Sequence, residues 1–355
     1  MDLVLACGAA LLVCGCVTYL LLGWADQVGL VDRPAGRKNH VHPTPVVGGI
    51  GVFVALCVSW IWLQGGEVSS AVLGFCIAGG LLVLVGSIDD VRDLSWRLRF
   101  PAQIVAALIL CAFGTQLTQL APLDARPSLE LGLLSIPFTV FAVVGLINAV
   151  NMVDGIDGLA GSIVAATLLL MAGLAALGGN WGLFSLLLVA ATSVLAFLGF
   201  NLRLPGRSTA LTFLGNSGSA LLGLLIAWSA IELTHGDHAP WTPALAPWLV
   251  ALPILDCLTL IGRRLAGGRS PFSADRMHFH HLLLDRGWSV NQVVLVGLAV
   301  HLALAGFGLL LLALGVSDLG LIVGFLLVLA VYSVSLVRGF DVDSGVATVE
   351  SGSGG

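Results

Sequence analysis

Along this chain, long runs of Leu, Val, Ile, Ala and Gly are broken by short polar joints. The runs do not alternate apolar and polar residues as half-buried strands do, and most approach the ~20 residues a helix needs to span a bilayer. They predict eleven helices, at 2–23, 47–64, 69–88, 102–120, 132–150, 159–178, 181–200, 217–234, 244–262, 290–314 and 319–337. In lipid the backbone must satisfy its own hydrogen bonds, which favours helices for such runs. The fold class read from the pattern is therefore all-α, a polytopic integral membrane protein. Residues 1–337 make one transmembrane domain, and the small, polar, Gly/Ser-rich stretch 338–355 is expected to be a disordered tail.

Composition sharpens this picture. The chain is 58% hydrophobic and 10% charged, with a mean hydropathy of +1.03, against roughly 25% charged residues in soluble domains. Nothing in the sequence suggests a separate soluble domain. The first run lacks a basic leader and exceeds the length of a signal-peptide core, so it reads as a retained helix. Cys7, Cys14, Cys16, Cys57, Cys76 and Cys111 fall inside apolar runs, Cys257 is assigned there too, and no Cys-x-x-Cys pair occurs. These thiols read as small buried hydrophobes. Nothing in the pattern calls for a nucleic-acid partner.

Charge gives the orientation. With the N-terminus outside and eleven crossings, fourteen of the fifteen basic residues fall in inside joints and only Arg126 lies outside. A miscount by one helix would scramble this positive-inside bias, so the C-terminus is expected in the cytoplasm.

The unusual polar residues gather on that same inside face. Its joints read "VDRPAGRKNHVHPTPVVGG", "GSIDDVRDLSWRLRFPAQ", "INAVNMVDGIDGLAG", the approach to "TFLGNSGSALLG", and "GRRLAGGRSPFSADRMHFHHLLLDRGW". The outside joints, such as "QGGEVSS" and "GVSD", are short and bland. Asp89 and Asp90 end an apolar helix, which also suits a solvated helix terminus. Asp154 and Asp157 share one side of a turn, and Asp157 also suits an N-cap for the helix near Leu159. Glycines at 155 and 158 leave room for a backbone or a ligand. His278, His280 and His281 follow Arg276. Neighbouring arginines repel a transition metal, so an anion-binding cluster fits these histidines better than a zinc site. Asp256, inside a predicted helix, is a functional suspect with pairing to an arginine as its structural alternative. Acids for a hard cation together with cations for phosphates are the equipment of phosphoryl transfer, with Mg²⁺ as the natural metal. A transporter or lipid flippase would instead place ionisable groups near mid-membrane, often in broken helices.

Taken together, "DRPAGRKNH…PTPVVGGI", "DDVRDLSWRLRF", "INAVNMVDGIDGLAG", "FLGNSGSALLG" and "RRLAGGRSPFSADRMHFHHLLLDRG" resemble the polyprenyl-phosphate N-acetylhexosamine-1-phosphate transferases. The last motif is most similar to the bacterial branch acting on UDP-GlcNAc. The resemblance implies that undecaprenyl phosphate attacks the sugar-linked phosphorus of UDP-GlcNAc to give undecaprenyl-PP-GlcNAc and UMP. That product would feed O-antigen or a related surface polysaccharide. UDP-MurNAc-pentapeptide or another UDP-N-acetylhexosamine stands as the alternative donor. The resemblance further implies Mg²⁺, with Mn²⁺ as a substitute, a bacterial inner membrane with the site facing the cytoplasm, and a homodimer as an allowed state.

Roles carry over by position. The resemblance makes Asp89 the base on the lipid phosphate and Asp90 an organiser of the site or metal. It places Asn151 near the metal and diphosphate, Asp154 and Asp157 at the nucleotide, and Phe213 against uracil. Arg276, His278, His280 and His281 become a diphosphate-binding arm, with Lys38 and His40 as further substrate contacts. Direct attack and a covalent intermediate both remain open. One position departs from the pattern: Asn216 stands where the family has a metal-binding aspartate. An amide oxygen without the charge is a poorer partner for a hard cation, so the chain as written is expected to be strongly impaired. An inactivating substitution accounts for Asn216 better than natural variation.

Overall fold

The computed structural model describes residues 3–33, 43–120, 129–235, 241–270 and 277–350. Each of the eleven predicted segments has a helical counterpart among them. The helices are α1 (Leu3–Val28), α2 (Gly48–Leu63), α3 (Ser70–Arg92), α4 (Trp96–Ala112), α5 (Ser135–Val153), α6 (Leu159–Leu177), α7 (Trp181–Asn201), α8 (Gly215–Thr234), α9 (Ala246–Leu249), α10 (Ala251–Ala266), α11 (Phe279–Asp285), α12 (Val290–Ala313) and α13 (Asp318–Glu350). Two small antiparallel ladders tie joints together: β1 (Val31–Asp32) with β2 (Thr44–Pro45), and β3 (Gln119–Leu120) with β4 (Leu129–Glu130).

Eight helices among the described residues are long and apolar enough to cross a membrane. The chain is a multi-pass, all-α membrane protein. The remaining three predicted spans differ from simple crossings. Helix α2 has only 16 residues. Helix α4 has 17, starts six residues before its predicted position, ends at Ala112, and carries Pro101 inside. The run at 244–262 is not one straight helix: it bends by 83° at Val250. Pro253 explains the bend, because proline has no N–H to donate and its ring clashes with the carbonyl four residues earlier, that of Leu249. The freed Leu249 carbonyl faces the Thr167 hydroxyl, 3.4 Å away, and Thr167 also meets His301 Nε2 at 2.9 Å. Helix α13 continues to Glu350, beyond residue 337, with no proline to stop it.

Helix α8 is the core of the bundle, buried along nearly its whole length. Small residues let its neighbours approach closely, as in many membrane helix pairs. A side chain on Gly86 of α3 would overlap the Ser217 backbone, and one on Gly49 of α2 would overlap Gly218. At the far end Trp60, Phe75 and Trp228 form a packed aromatic cluster, with Trp60 and Trp228 ring centroids 5.1 Å apart. The near end of α8 is different. There α3, α5 and α10 finish and α4, α6, α8 and α11 begin, so the motif-bearing joints meet at one end of the bundle.

A cleft of acids, amides, arginines and histidines

That end holds a cleft of about 330 Å³ lined by Asp89, Trp96, Arg99, Gln103, Asn148, Asn151, Asp154, Asn216, Arg264, His278, His280 and His281, among others. Its acidic and amide wall comes from α3, α5 and α8. Its cationic wall comes from α4, α10 and the segment entering α11. Residues separated by almost two hundred positions in sequence thus face one space.

The two adjacent aspartates have separate tasks. Asp89 is buried, accepts from the Leu94 N–H at 2.7 Å, and pairs with Arg99 at 3.1 Å. Its carboxylate closes the turn after α3, where Asp93 adopts a left-handed φ of 50°. Asp90 turns the other way. It accepts from the backbone N–H of Asn216 at 2.8 Å, the N–H of Ser217 at 3.3 Å and the Ser217 hydroxyl at 3.2 Å. An anion at these orphan N–H groups is stabilised by the α8 dipole as well as by the bonds themselves. Asp90 therefore anchors the helix that presents Asn216, and it is not a cleft-lining residue.

Asn151 and Asn216 stand side by side. Asn151 Nδ2 donates to Ser219 Oγ at 2.8 Å and lies 3.5 Å from Asn216 Oδ1. Nearby, Asn148 is held by Gln103 Oε1 at 2.8 Å. Asp154 caps the end of α5 and lines the cleft. Burial, then the charges of Asp90 and Asp157, push its carboxyl up to about 7. Asn151, Asn216 and Asp154 line the cleft and carry amide and carboxylate oxygens, the donor chemistry of a hard cation that keeps several waters or phosphate oxygens. Among the described residues no three His, Cys, Asp or Glu side chains form a metal cage.

Asp157 lies outside the cleft lining. It accepts from Arg203 Nε at 2.7 Å and latches the joint after α5 to the joint after α7. Nor does it cap α6. Gly158 is the capping residue, with φ of 85°, and its N–H is satisfied by Asn201 Oδ1 at 2.7 Å. Phe213 is also absent from the cleft: it packs on Ala25, Leu30, Val46 and Val47 beneath the first joint. Lys38, His40 and Arg276 lie outside the described residues.

The histidines sit tightly together. His278 and His280 stack with ring centroids 5.2 Å apart, and His280 and His281 are 4.4 Å apart. Burial, followed by the charges of His281 and His278, drives the His280 imidazole well below its ordinary value, so it is neutral at pH 7. His280 is 1% exposed, and among the described residues neither ring nitrogen has a hydrogen-bond partner. It occupies the space that a side chain on Gly155 would need, so this cleft-lining glycine makes room for a histidine of the protein. Gly158 likewise admits Leu202. Among the described residues Asp256 makes its hydrogen bonds to His278, the Phe279 N–H and Tyr332, and none to an arginine.

Arg99, Gln103, Arg264 and Ser219 were not singled out by sequence reasoning. Arg99 lies ten residues beyond Asp89, too far for a helix-spacing argument. Buried Arg264 had one available signal, a cation close to the apolar face of a strongly amphipathic helix.

Comparison with known proteins adds an independent line. The model described as "Glycosyl transferase family 4" matches residues 72–234. Relatives that carry the name undecaprenyl-phosphate alpha-N-acetylglucosaminyl 1-phosphate transferase include proteins from three genera. The protein from Escherichia coli O157:H7 is 34% identical over 321 residues, covering 90% of this chain and 86% of the relative. That from Salmonella typhi is 35% identical over 286 residues, 80% and 77% of the two chains. That from Haemophilus influenzae is 32% identical over 320 residues, 90% and 89%.

Proposed function

The chain belongs to glycosyl transferase family 4, and from that premise we propose that it transfers GlcNAc-1-phosphate from UDP-GlcNAc to undecaprenyl phosphate. The observation that carries this reading is the cleft itself. Acids and amides suited to a cation and arginines and histidines suited to phosphates line one cleft, at one end of a membrane bundle.

In the proposed reaction an oxygen of the lipid phosphate forms a bond to the sugar-linked phosphorus. The bond from that phosphorus to the bridging oxygen breaks, and UMP leaves with the electron pair. One phosphoanhydride replaces another, so no ATP is needed. A phosphate monoester has a second pKa near ~6, and its dianion attacks without a strong base. Asp89 is already committed to Arg99 and the Leu94 N–H. We therefore assign Asp89 to holding Arg99 toward the phosphates, in preference to abstracting a proton. Arg264 supplies a further donor from the same cationic wall, as does His278 in its imidazolium form, and catalysis is largely positioning and charge neutralisation.

Mg²⁺ would be held by Asn151 and by Asn216, on the helix end that Asp90 anchors. When bound it supplies neutralisation of charge on the diphosphate. Asp154 borders this position and contributes negative charge when ionised. The reading includes eleven crossings with the N-terminus outside, a bacterial inner membrane, the cleft toward the cytoplasm, and a homodimer as an allowed assembly. The fourteen-to-one bias of basic residues supports the orientation.

The test is UMP release from UDP-GlcNAc with undecaprenyl phosphate and Mg²⁺, using the chain and Asn216→Asp in parallel. Dependence on both substrates is the expected result. Turnover only with another UDP-sugar would move the donor assignment, and silence of both proteins with every UDP-sugar would overturn the reading.

A further inference from the structure

Asp256 is fully buried on α10, in the bent helix pair, and its hydrogen bonds among the described residues run to no arginine. Its Oδ2 lies 2.7 Å from His278 Nδ1. Its Oδ1 accepts from Tyr332 Oη at 2.9 Å and from the Phe279 N–H at 3.2 Å. An ionised carboxylate only accepts, so the Nδ1 atom must carry the proton that it shares with Asp256. Nε2 is then the nitrogen left for a ligand, and His278 lines the cleft. His278 is also the residue that precedes α11, but its ring does not cap that helix; it is committed to Asp256 instead. Three donors from three elements converge on one buried acid: the histidine, the first N–H of α11, and a phenol from α13.

We propose that Asp256 and Tyr332 are positioning residues that fix His278 with Nδ1 protonated and Nε2 turned to the phosphates in the cleft. The proposal rests on the reading of that cleft as the phosphate site. Its physical content is orientational. Without Asp256 the ring can rotate or exchange tautomers, and Nε2, which donates to a phosphate oxygen only in the imidazolium form, is no longer held toward the cleft. Tyr332 holds the carboxylate in plane and extends the restraint to α13, which itself contributes nothing to the cleft lining. An asparagine at 256 fits the same space but offers one acceptor oxygen to three donors, and its own NH₂ would meet one of them.

The experiment uses the full chain in lipid nanodiscs, in the Asn216→Asp background, with kcat and KM read from UMP release. Asp256→Asn is expected to lower kcat about 10–100-fold, the loss seen when a carboxylate behind a functional histidine is removed, with a smaller change in KM for UDP-GlcNAc. In a His278→Ala background the same substitution should cost nothing further, because residues acting as one unit are not additive. An equal loss in both backgrounds would assign Asp256 a structural role and overturn the proposal. Unchanged kinetics in His278→Ala itself would instead overturn the reading of the histidine arm. Tyr332→Phe removes one hydroxyl and serves if Asp256→Asn does not fold; it should lower kcat about threefold to tenfold, the worth of one hydrogen bond, again only when His278 is present. Independently of turnover, ¹⁵N spectra of histidine-labelled protein should show a proton on His278 Nδ1, and a bare Nδ1 would overturn the proposal.

Discussion

The ring of His280 occupies the position that a side chain on Gly155 would need. The joint after α5 and the start of α11, more than a hundred residues apart, are therefore fitted to each other at atomic contact. Gly155→Ala must displace a buried ring whose other neighbours are His278, His281 and Phe279. Overpacking of this kind costs about 1–3 kcal/mol. The strain falls on the histidine arm, so UMP release should drop by roughly tenfold or more while the protein remains folded by size-exclusion chromatography. An alanine variant with parental turnover would mean that His280 does not need this seat.

Restoring an acid at position 216 should have the opposite effect. Asn216 Oδ1 sits beside Asn151 at the N-terminus of α8, held from behind by Asp90. Asn216→Asp adds a formal charge where a hard cation is expected. Mg²⁺-dependent UMP release should rise at least ~10–100-fold, by the scale of losing a metal partner. Equal rates in the two proteins would remove position 216 from the metal site.

Asp154 gives a pH-dependent stability. Its carboxyl is raised from 3.8 to about 7 by burial and by the charges of Asp90 and Asp157. Between those values the folded protein keeps a proton that the unfolded chain has released, so this residue's contribution to stability falls as pH rises through the window. Asp154→Asn removes the penalty. The variant's melting temperature, relative to the parent without ligand or metal, should be unchanged near pH 4 and higher by several degrees at pH 8. Parallel melting curves at every pH would contradict the burial argument.

Asn201 is a purely structural counterpart. Its side chain accepts from the Gly158 N–H at 2.7 Å and donates to the Thr212 carbonyl at 2.9 Å, in a buried setting. Asn201→Ala leaves both groups unsatisfied. The cost should be about 1–3 kcal/mol for each buried group left without a partner. Thermal unfolding in detergent should register it as a lowered melting temperature, and an unchanged melting temperature would mean that water replaces the amide.

Much of this protein was legible before folding was considered. The helical, membrane-crossing character could be read because an apolar run of bilayer length is a local property, and burying backbone in lipid leaves little choice but a helix. The gathering of polar joints at one end followed from counting crossings, and the structure brings Asp89, Asn151, Asp154, Asn216, His278, His280 and His281 to one cleft. The division of labour was not legible. Asp89 and Asp90 are neighbours in sequence, yet one pairs with Arg99 and the other caps α8, because successive side chains on a helix point about 100° apart and meet different partners. Asp154 and Asp157 share a turn, yet only Asp154 faces the cleft, since Arg203 claims Asp157.

The class of solvent, the helical character and the chemical inventory are written in the order of residues, because hydrophobicity and residue type act at short range. Tertiary structure decided which acid faces a ligand, which braces the scaffold, why Gly155 must be small, and that α10 breaks away from α9 with Asp256 gripping His278. Those outcomes depend on contacts between residues far apart in the chain, and such contacts exist only once the helices have packed.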